Sequence, residues 1–306
     1  MRVLVTGGAG FVGTNLIKRL LKDKHEVVSV DNYSTGKKEN EQEGCKYYDL
    51  DLSGKSCAST LDSIKTVSQI SNFDVIFHLA ALARIQTSLK NPYLHIENNF
   101  ISTLNILEFA RENDTALIYA GSSSKHHGVT NSPYSWVKWS GEELCKLYSD
   151  VYDVPTSICR FYNVYGPHQL EDGEYSTVVG IFMRQFKRGE PLTIVGDGEQ
   201  RRDFTHIEDI VNGLVKCMAA MHGMVDMRYA GAEWEFGSGV NHSINELASY
   251  FGSDYPTKYI PARRGEYPST LCEDKSTNDA LDWHPTKKLD DFIKNFLRKR
   301  GLGHYD

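Results

Sequence analysis

The chain of 306 residues contains no run that reaches the ~18 consecutive apolar residues of a membrane-spanning helix. Its first strand-like run starts at Arg2, which leaves no room for the charged and apolar regions of a secretory leader, so a cytoplasmic protein with no membrane partner is expected. Cysteine is sparse. Cys45, Cys57, Cys145, Cys159, Cys217 and Cys272 form neither a CxxC pair nor a metal-ligand spacing, which reads as reduced thiols. His126 and His127 are adjacent, so their side chains diverge, and no third ligand stands at a suitable spacing; no metal is expected. Positive charge is too thin for a nucleic-acid surface: the net charge is -6, the pI is near 6.0 and the basic residues are scattered, which leaves a small molecule as the expected partner. Arg298, Lys299 and Arg300 close an amphipathic stretch ahead of Gly301, a place for cations of a last helical turn rather than a basic signal. No internal repeat or low-complexity tract is visible.

Short apolar runs alternate with helix-period segments through the first half: Val3 to Val5, Leu16 to Leu21, Val27 to Val30, Val75 to Leu79, Ile101 to Ala110 and Ala116 to Ala120. That rhythm predicts an α/β fold, a Rossmann-type doubly wound parallel sheet covered on both faces, with a smaller C-terminal α/β lobe. A further strand is expected at Thr156 to Phe161. The first unit is expected over residues 1–166, with returning segments near 205–240 that include a helix from Ile207 to Met218 and a strand at Trp234 to Phe236. Residues 167–204 and 241–306 would form the second lobe.

Two local patterns carry chemistry. Gly7-x-x-Gly10-Phe11-Val12-Gly13 follows an apolar strand and opens a helix, the context in which glycines let backbone N–H groups approach a pyrophosphate at a helix N-terminus. Asp31, with Asn32 beside it, ends the second strand 18 residues beyond Gly13, close to the ~20 expected of a carboxylate that accepts from a ribose and repels a 2′-phosphate. NAD is therefore expected over NADP, with Lys37 and Lys38 as loop charges. Asp51 and Leu52 are candidates for the adenine, with Asp49 competing. Tyr134 and Lys138 stand four apart, hence on one face of a helix, where an ammonium would favour ionisation of a phenol whose ordinary pKa of about 10 makes it a poor base.

Thr6 to Gly13, His78-Leu79-Ala80-Ala81, Tyr134-x-x-x-Lys138, Arg160 to Pro167 and Arg202 to His206 together resemble the extended short-chain dehydrogenase/reductase family, and more narrowly its NAD-dependent nucleotide-sugar epimerase/dehydratase branch. The resemblance implies an epimerase that acts at C4 of a UDP-sugar through a transient 4-keto intermediate. It implies Tyr134 as acid/base, Lys138 as the residue that lowers its pKa, and Ser123, five residues before Gly128, as the hydroxyl that bonds the reacting sugar oxygen. Leu79, Ala80, Ala81 and Asn99 would line the cofactor. Asn163, Arg202 and Arg263 would meet the sugar-nucleotide diphosphate, with Glu266 near the uridine-side ribose. A homodimer through helices near Asn99 to Glu112 and Tyr134 to Tyr148 is likewise implied.

The chain departs from that pattern in ways that bear on the reaction. Ser123 and Tyr134 are closer in sequence than is usual in the family, and His127 stands where many members have Tyr. Ser124-Lys125 replaces the Asp-Glu pair that a 4,6-dehydratase places after its catalytic residue, and Lys125 replaces a glutamate of the UDP-glucuronate decarboxylases; both weigh against those reactions. A reductase of the same family and an inactive NAD-binding regulator are the rival readings. Arg84 is left facing either a sugar carboxylate or solvent.

Overall fold

The computed structural model describes residues 1–54, 57–67, 72–222 and 231–300, so the Cys57 side chain and Gly301 lie outside the described residues. The first half alternates strand and helix: β1 (Arg2–Thr6), α1 (Phe11–Lys22), β2 (Glu26–Asp31), β3 (Lys46–Asp49), α2 (Cys57–Val67), β4 (Val75–His78), α3 (Ile85–Lys90), α4 (Pro92–Glu112), β5 (Ala116–Ser122), α5 (Pro133–Tyr152) and β6 (Thr156–Phe161). The remainder is more irregular: β7 (Val164–Tyr165), α6 (Val178–Lys187), β8 (Leu192–Val195), β9 (Arg201–Asp203), β10 (Thr205–His206), α7 (Ile207–His222), β11 (Ala232–Phe236), β12 (Asn241–Ser243), α8 (Ile244–Ser249), β13 (Thr257–Ile260), α9 (Ser276–Leu281) and α10 (Leu289–Arg298).

Seven strands form one parallel sheet in the order β11-β6-β5-β4-β1-β2-β3. Alternate side chains leave its two faces, as strand geometry requires. Val3, Val5, Phe77, Ile118 and Cys159 join the cluster under α1 and α7, whereas Leu4, Ile76, Leu117, Tyr119 and Ile158 join the one that takes in α4 and α5. Both faces are thus buried, which is why these strands read as unbroken apolar runs rather than alternating ones.

A third apolar cluster, from Tyr165 through Phe182, Leu192, Phe251 and Ile293 to Leu297, sits apart from the sheet and is built from β7, β8, α6, α8 and α10. One part of the segment 241–306 departs from the expected division. Leu281 and Trp283 pack into the sheet core, with the Trp283 ring 4.9 Å from Phe236 and its Nε1 donating to the Asp209 carbonyl at 2.8 Å. A tryptophan that caps β11 beneath α7 is invisible to a pattern that follows only the alternation of strands and helices.

The strand order reverses between β1 and β4, so the loops after their carboxyl ends diverge and leave a crevice there. Gly7 follows β1 in that crevice with φ +70°, and a Cβ on it would come within 2.9 Å of the Ala80 backbone after β4. The two loops touch only because the residue is glycine.

Candidate active site

A cavity opens at this switch point, lined from β1 by Gly7, Gly10, Phe11, Val12 and Gly13, from β2 by Asp31 and Asn32, from β3 by Asp51 and Leu52, and from β4 by Leu79 to Arg84. Helix α1 begins under Gly10 with no side-chain cap and no acidic residue in its first turn, so its leading N–H groups are free for an anion. A Cβ on Gly13 would lie 2.2 Å from the Gly7 carbonyl oxygen, so the turn closes only with glycine there. Asp31 is buried, and its carboxylate accepts from the Ala9 N–H at 2.9 Å and the Tyr33 N–H at 2.8 Å. Burial pushes its pKa up, against the pull of those two N–H donors. Of the two competing carboxylates, Asp51 lines the cavity, while Asp49 ends β3 in register with Asp31. Lys37 pairs with Glu39 at 3.4 Å and Lys38 lies over the Tyr33 ring, both outside the cavity wall.

Asn99 is placed otherwise than expected. It is buried behind the wall, where its amide accepts from the Leu82 N–H at 2.8 Å and donates to the Leu82 carbonyl at 3.1 Å, and so holds the loop after β4. Its neighbour Asn98 and Ser102, one turn on, face the cavity instead. The sequence carries the signal for this only in the helical phase of α4.

Helix α5 starts under Ser132, whose hydroxyl accepts from the Ser135 N–H at 3.1 Å, and with Pro133 in its first turn. Its N-terminus is tied on two sides: the Tyr134 N–H donates to Ser88 Oγ at 3.2 Å, and the Ser135 and Tyr267 hydroxyls meet at 2.9 Å. The Ser122 hydroxyl, which accepts from the Ser124 N–H at 3.2 Å, acts on the Tyr134 phenol and opposes the effect of burial on its pKa. Ser122 is the last residue of β5, and Ser123 opens the 3₁₀ turn Ser123–His127 that, with a second at Val129–Asn131, fills the shortened connection to α5.

Tyr134 and Lys138 each have partners of their own. Burial pushes the phenol up, and what opposes it is the Ser122 hydrogen bond and the charge of Arg84. Lys138 is buried with its ammonium 4.2 Å from the centroid of the Tyr119 ring, a cation–π contact of about 0.5–2 kcal/mol. The i, i+4 spacing thus places both residues on one face, but the lysine side chain leans onto β5. Burial lowers Lys138 to about 8, with Glu142 raising it.

Glu142 lies one turn beyond Lys138 and is wholly buried. One of its oxygens accepts the Ser122 N–H at 3.3 Å; the other accepts Arg160 Nε and Nη2 at 2.9 and 2.8 Å. Arg160, on β6, also pairs with Glu233 and, at 2.8 Å, with Glu235 on β11. His126 Nε2 lies 2.9 Å from Glu235, while the His127 ring packs 4.8 Å from Tyr267, so the adjacent histidines point apart. Among the described residues no group of three or more His, Cys, Asp or Glu side chains is arranged to hold a metal. Glu142 was legible as a residue on the Tyr134-Lys138 face, yet nothing in the sequence joins it to Arg160.

Arg202 and Glu266 are brought together with each other: Arg202 Nη2 meets Glu266 at 2.9 Å and Nη1 donates to the Tyr267 carbonyl at 2.7 Å. Asn163 spends its amide on the Asp203 carbonyl at 3.1 Å and Thr270 Oγ1 at 3.0 Å, which ties it to the same strand β9. Arg201 is held by Glu246 at 3.0 Å. Arg263 is exposed on the segment after β13 and is not gathered with the others.

A glycine turn on a free helix N-terminus, a buried carboxylate at the next strand end and a Tyr-Lys helix beside them define a dinucleotide-dependent enzyme of the Rossmann type. A profile of the NAD dependent epimerase/dehydratase family matches residues 3–227, and the chain belongs to that family, with NAD as its cofactor. A UDP-N-acetyl-alpha-D-glucosaminuronate decarboxylase of Bacillus cytotoxicus is 33% identical over 268 residues, covering 81% of this chain and 78% of that protein. The crystal structure of a UDP-glucose 4-epimerase of Thermotoga maritima with UDP-glucose superposes with a TM-score of 0.87 at 27% identity, over 98% of this chain and 99% of that one. A UDP-glucuronic acid 4-epimerase of Bacillus cereus, in complex with UDP-glucuronic acid and NAD, gives 0.84 at 26% identity, over 98% and 100%. No helix among the described residues is long and apolar enough to cross a membrane.

The Lys138 titration tests this wiring. Because the Glu142 carboxylate favours the ammonium, Glu142→Gln moves the Lys138 midpoint below its value near 8, so the amine becomes neutral at lower pH. NMR of the lysine ε-carbon reads the shift directly; an unmoved or raised midpoint contradicts it. The same variant strips Arg160 of a buried partner and is expected to cost about 3–5 kcal/mol on denaturant unfolding.

Proposed function

We propose that the chain is a UDP-sugar 4-epimerase, acting through a transient 4-keto sugar. The observation that carries this reading is a single acid/base at the reactive face. The Ser122 hydroxyl acts on Tyr134, and Lys125, at the position that would need a carboxylate for water elimination or decarboxylation, is held in ion pairs with Glu233 at 3.2 Å and Glu142 at 3.7 Å. Epimerisation needs one group that takes a proton and returns it; elimination of water needs a second.

Bound NAD supplies the acceptor, and then the donor, of one hydride. The chain's own residues do the rest. Gly7, Gly10 and Gly13 with the first turn of α1 hold the diphosphate, Asp31 takes the adenosine ribose, and Asp51 and Leu52 flank the adenine. Lys138 would donate to the ribose next to the reactive ring. Tyr134 takes the proton from the sugar hydroxyl at C4 and gives it back after the ketone has turned its other face, with Ser122 or Ser123 bonding the same oxygen. Asn163, Arg202, Glu266 and the exposed Arg263 are the residues proposed to receive the nucleotide diphosphate and its ribose.

Incubation with UDP-glucose, UDP-galactose and their N-acetyl and uronate forms, with products read by NMR, is expected to give the C4 epimer of at least one, and Tyr134→Phe is expected to lower kcat by about 10²–10⁴-fold. No interconversion of any sugar contradicts the reading. A decarboxylase would release carbon dioxide from a uronate, and a reductase would consume reduced cofactor stoichiometrically, so the same spectra separate those reactions.

A homodimer through α4 and α5 is part of this proposal. The two helices pack against each other, yet leave apolar side chains exposed along their outer face, Tyr93 (74%) and Leu94 (48%) in the first turn of α4 and Leu147 (48%), Val151 (58%) and Tyr152 (49%) in the last turns of α5, a surface that calls for a partner. Sedimentation is expected to report a dimer, reduced to monomer by Leu147→Glu with Val151→Glu; a monomeric parent protein contradicts it.

A further inference from the structure

Arg84, six residues beyond the end of β4, lines the cavity beside Leu82 and Ala83. Its Nε is committed, donating at 2.8 Å to the Tyr175 carbonyl, and Tyr175 itself lines the same cavity from the far side. That bond fixes the plane of the guanidinium and leaves its terminal nitrogens for another partner. The buried arginines are neutralised from within the chain, Arg160 by Glu142, Glu233 and Glu235, and Arg202 by Glu266, whereas Arg84 is half-buried in the cavity wall. Arg84 has no such carboxylate among the described residues, and the ionisable group that acts on it is the Tyr134 phenol.

A cation withdrawn from water without a counter-ion is costly, and it persists where a ligand supplies the missing charge. Its position decides which ligand group that is. The free N-terminus of α1 awaits the cofactor's diphosphate at the glycine turn, whereas Arg84 lines the cavity from the loop after β4, held to Tyr175, where its charge acts on the Tyr134 phenol. A planar fork beside a sugar ring matches a carboxylate, which two parallel N–H donors grip at once. We infer that Arg84 binds an anionic substituent of the sugar ring, so that the substrate class is a UDP-linked uronate rather than a neutral hexose. This rests on the epimerase reading above and adds the identity of the ring substituent and the residue that selects it.

The test compares kcat/KM for UDP-glucuronate and UDP-glucose in the parent protein, Arg84→Gln and Arg84→Lys, alongside calorimetric binding of both nucleotide sugars and thermal melts. The parent is expected to favour the uronate by at least about tenfold; Arg84→Gln is expected to lose about 100-fold on the uronate and at least about tenfold less on UDP-glucose, with Arg84→Lys recovering part of the difference. Equal losses on both sugars, in activity and in binding, overturn the inference, because they place Arg84 against the diphosphate that both share. A parent protein that turns over UDP-glucose and prefers it also overturns the inference, while the epimerase reading stands. Turnover of neither sugar overturns the inference, and only inactivity on the N-acetyl forms as well overturns the epimerase reading.

Discussion

The contact on which the rest of this site depends is the buried pair of Glu142 and Arg160. Glu142 belongs to α5, Arg160 to β6, Ser122 to the end of β5, and Glu233 and Glu235 to the edge strand β11. One carboxylate therefore fixes the helix that bears Tyr134 against the end of the strand that bears Ser122. Burying two charges costs several kcal/mol each, and the arrangement holds because Arg160 spends Nε, Nη1 and Nη2 on carboxylates, although Glu235 Oε2 is buried with no hydrogen-bond partner. The pair is thus a device for register more than a source of net stability. Gly141 serves the same end: a Cβ there would lie 2.3 Å from the Tyr119 hydroxyl, so the helix accepts the roughly 1 kcal/mol penalty of a mid-helix glycine to press against β5.

The electrostatics of the phenol follow from that frame. Burial alone makes Tyr134 a still weaker acid than the free side chain, and the two groups that work against burial arrive from different directions, Ser122 from the sheet and Arg84 from the loop after β4. The Lys138 ammonium lies over the Tyr119 ring, and Glu142 raises its pKa against burial. The chain by itself leaves the tyrosine protonated at neutral pH.

Much of the fold was legible because its cause is local. Val3 to Val5, Val75 to Leu79 and Ala116 to Ala120 read as buried parallel strands since both faces of the sheet are covered, and the glycine spacing at 7, 10 and 13 reflects contacts within one turn. What escaped the sequence depends on phase or on distance along the chain. Whether Ser122 or Ser123 meets the phenol is set by where β5 yields to a 3₁₀ turn, and whether Asn98 or Asn99 faces the cavity is set by the rotation of α4. Arg84 meets Tyr175 across 91 positions, and Arg160 meets Glu235 across 75, so no local pattern marks either bond. Arg202 and Glu266 illustrate the same limit: each looked like a ligand contact, and the fold first makes them partners of one another.

The central claim is that one acid/base on a braced helix removes and restores a proton while a hydride leaves C4 and returns to it. The most direct measurement uses a UDP-sugar substrate deuterated at C4. The account predicts a product with the C4 configuration inverted and the label still on that carbon; loss of deuterium to water, or a labelled sugar whose C4 centre never inverts, contradicts it.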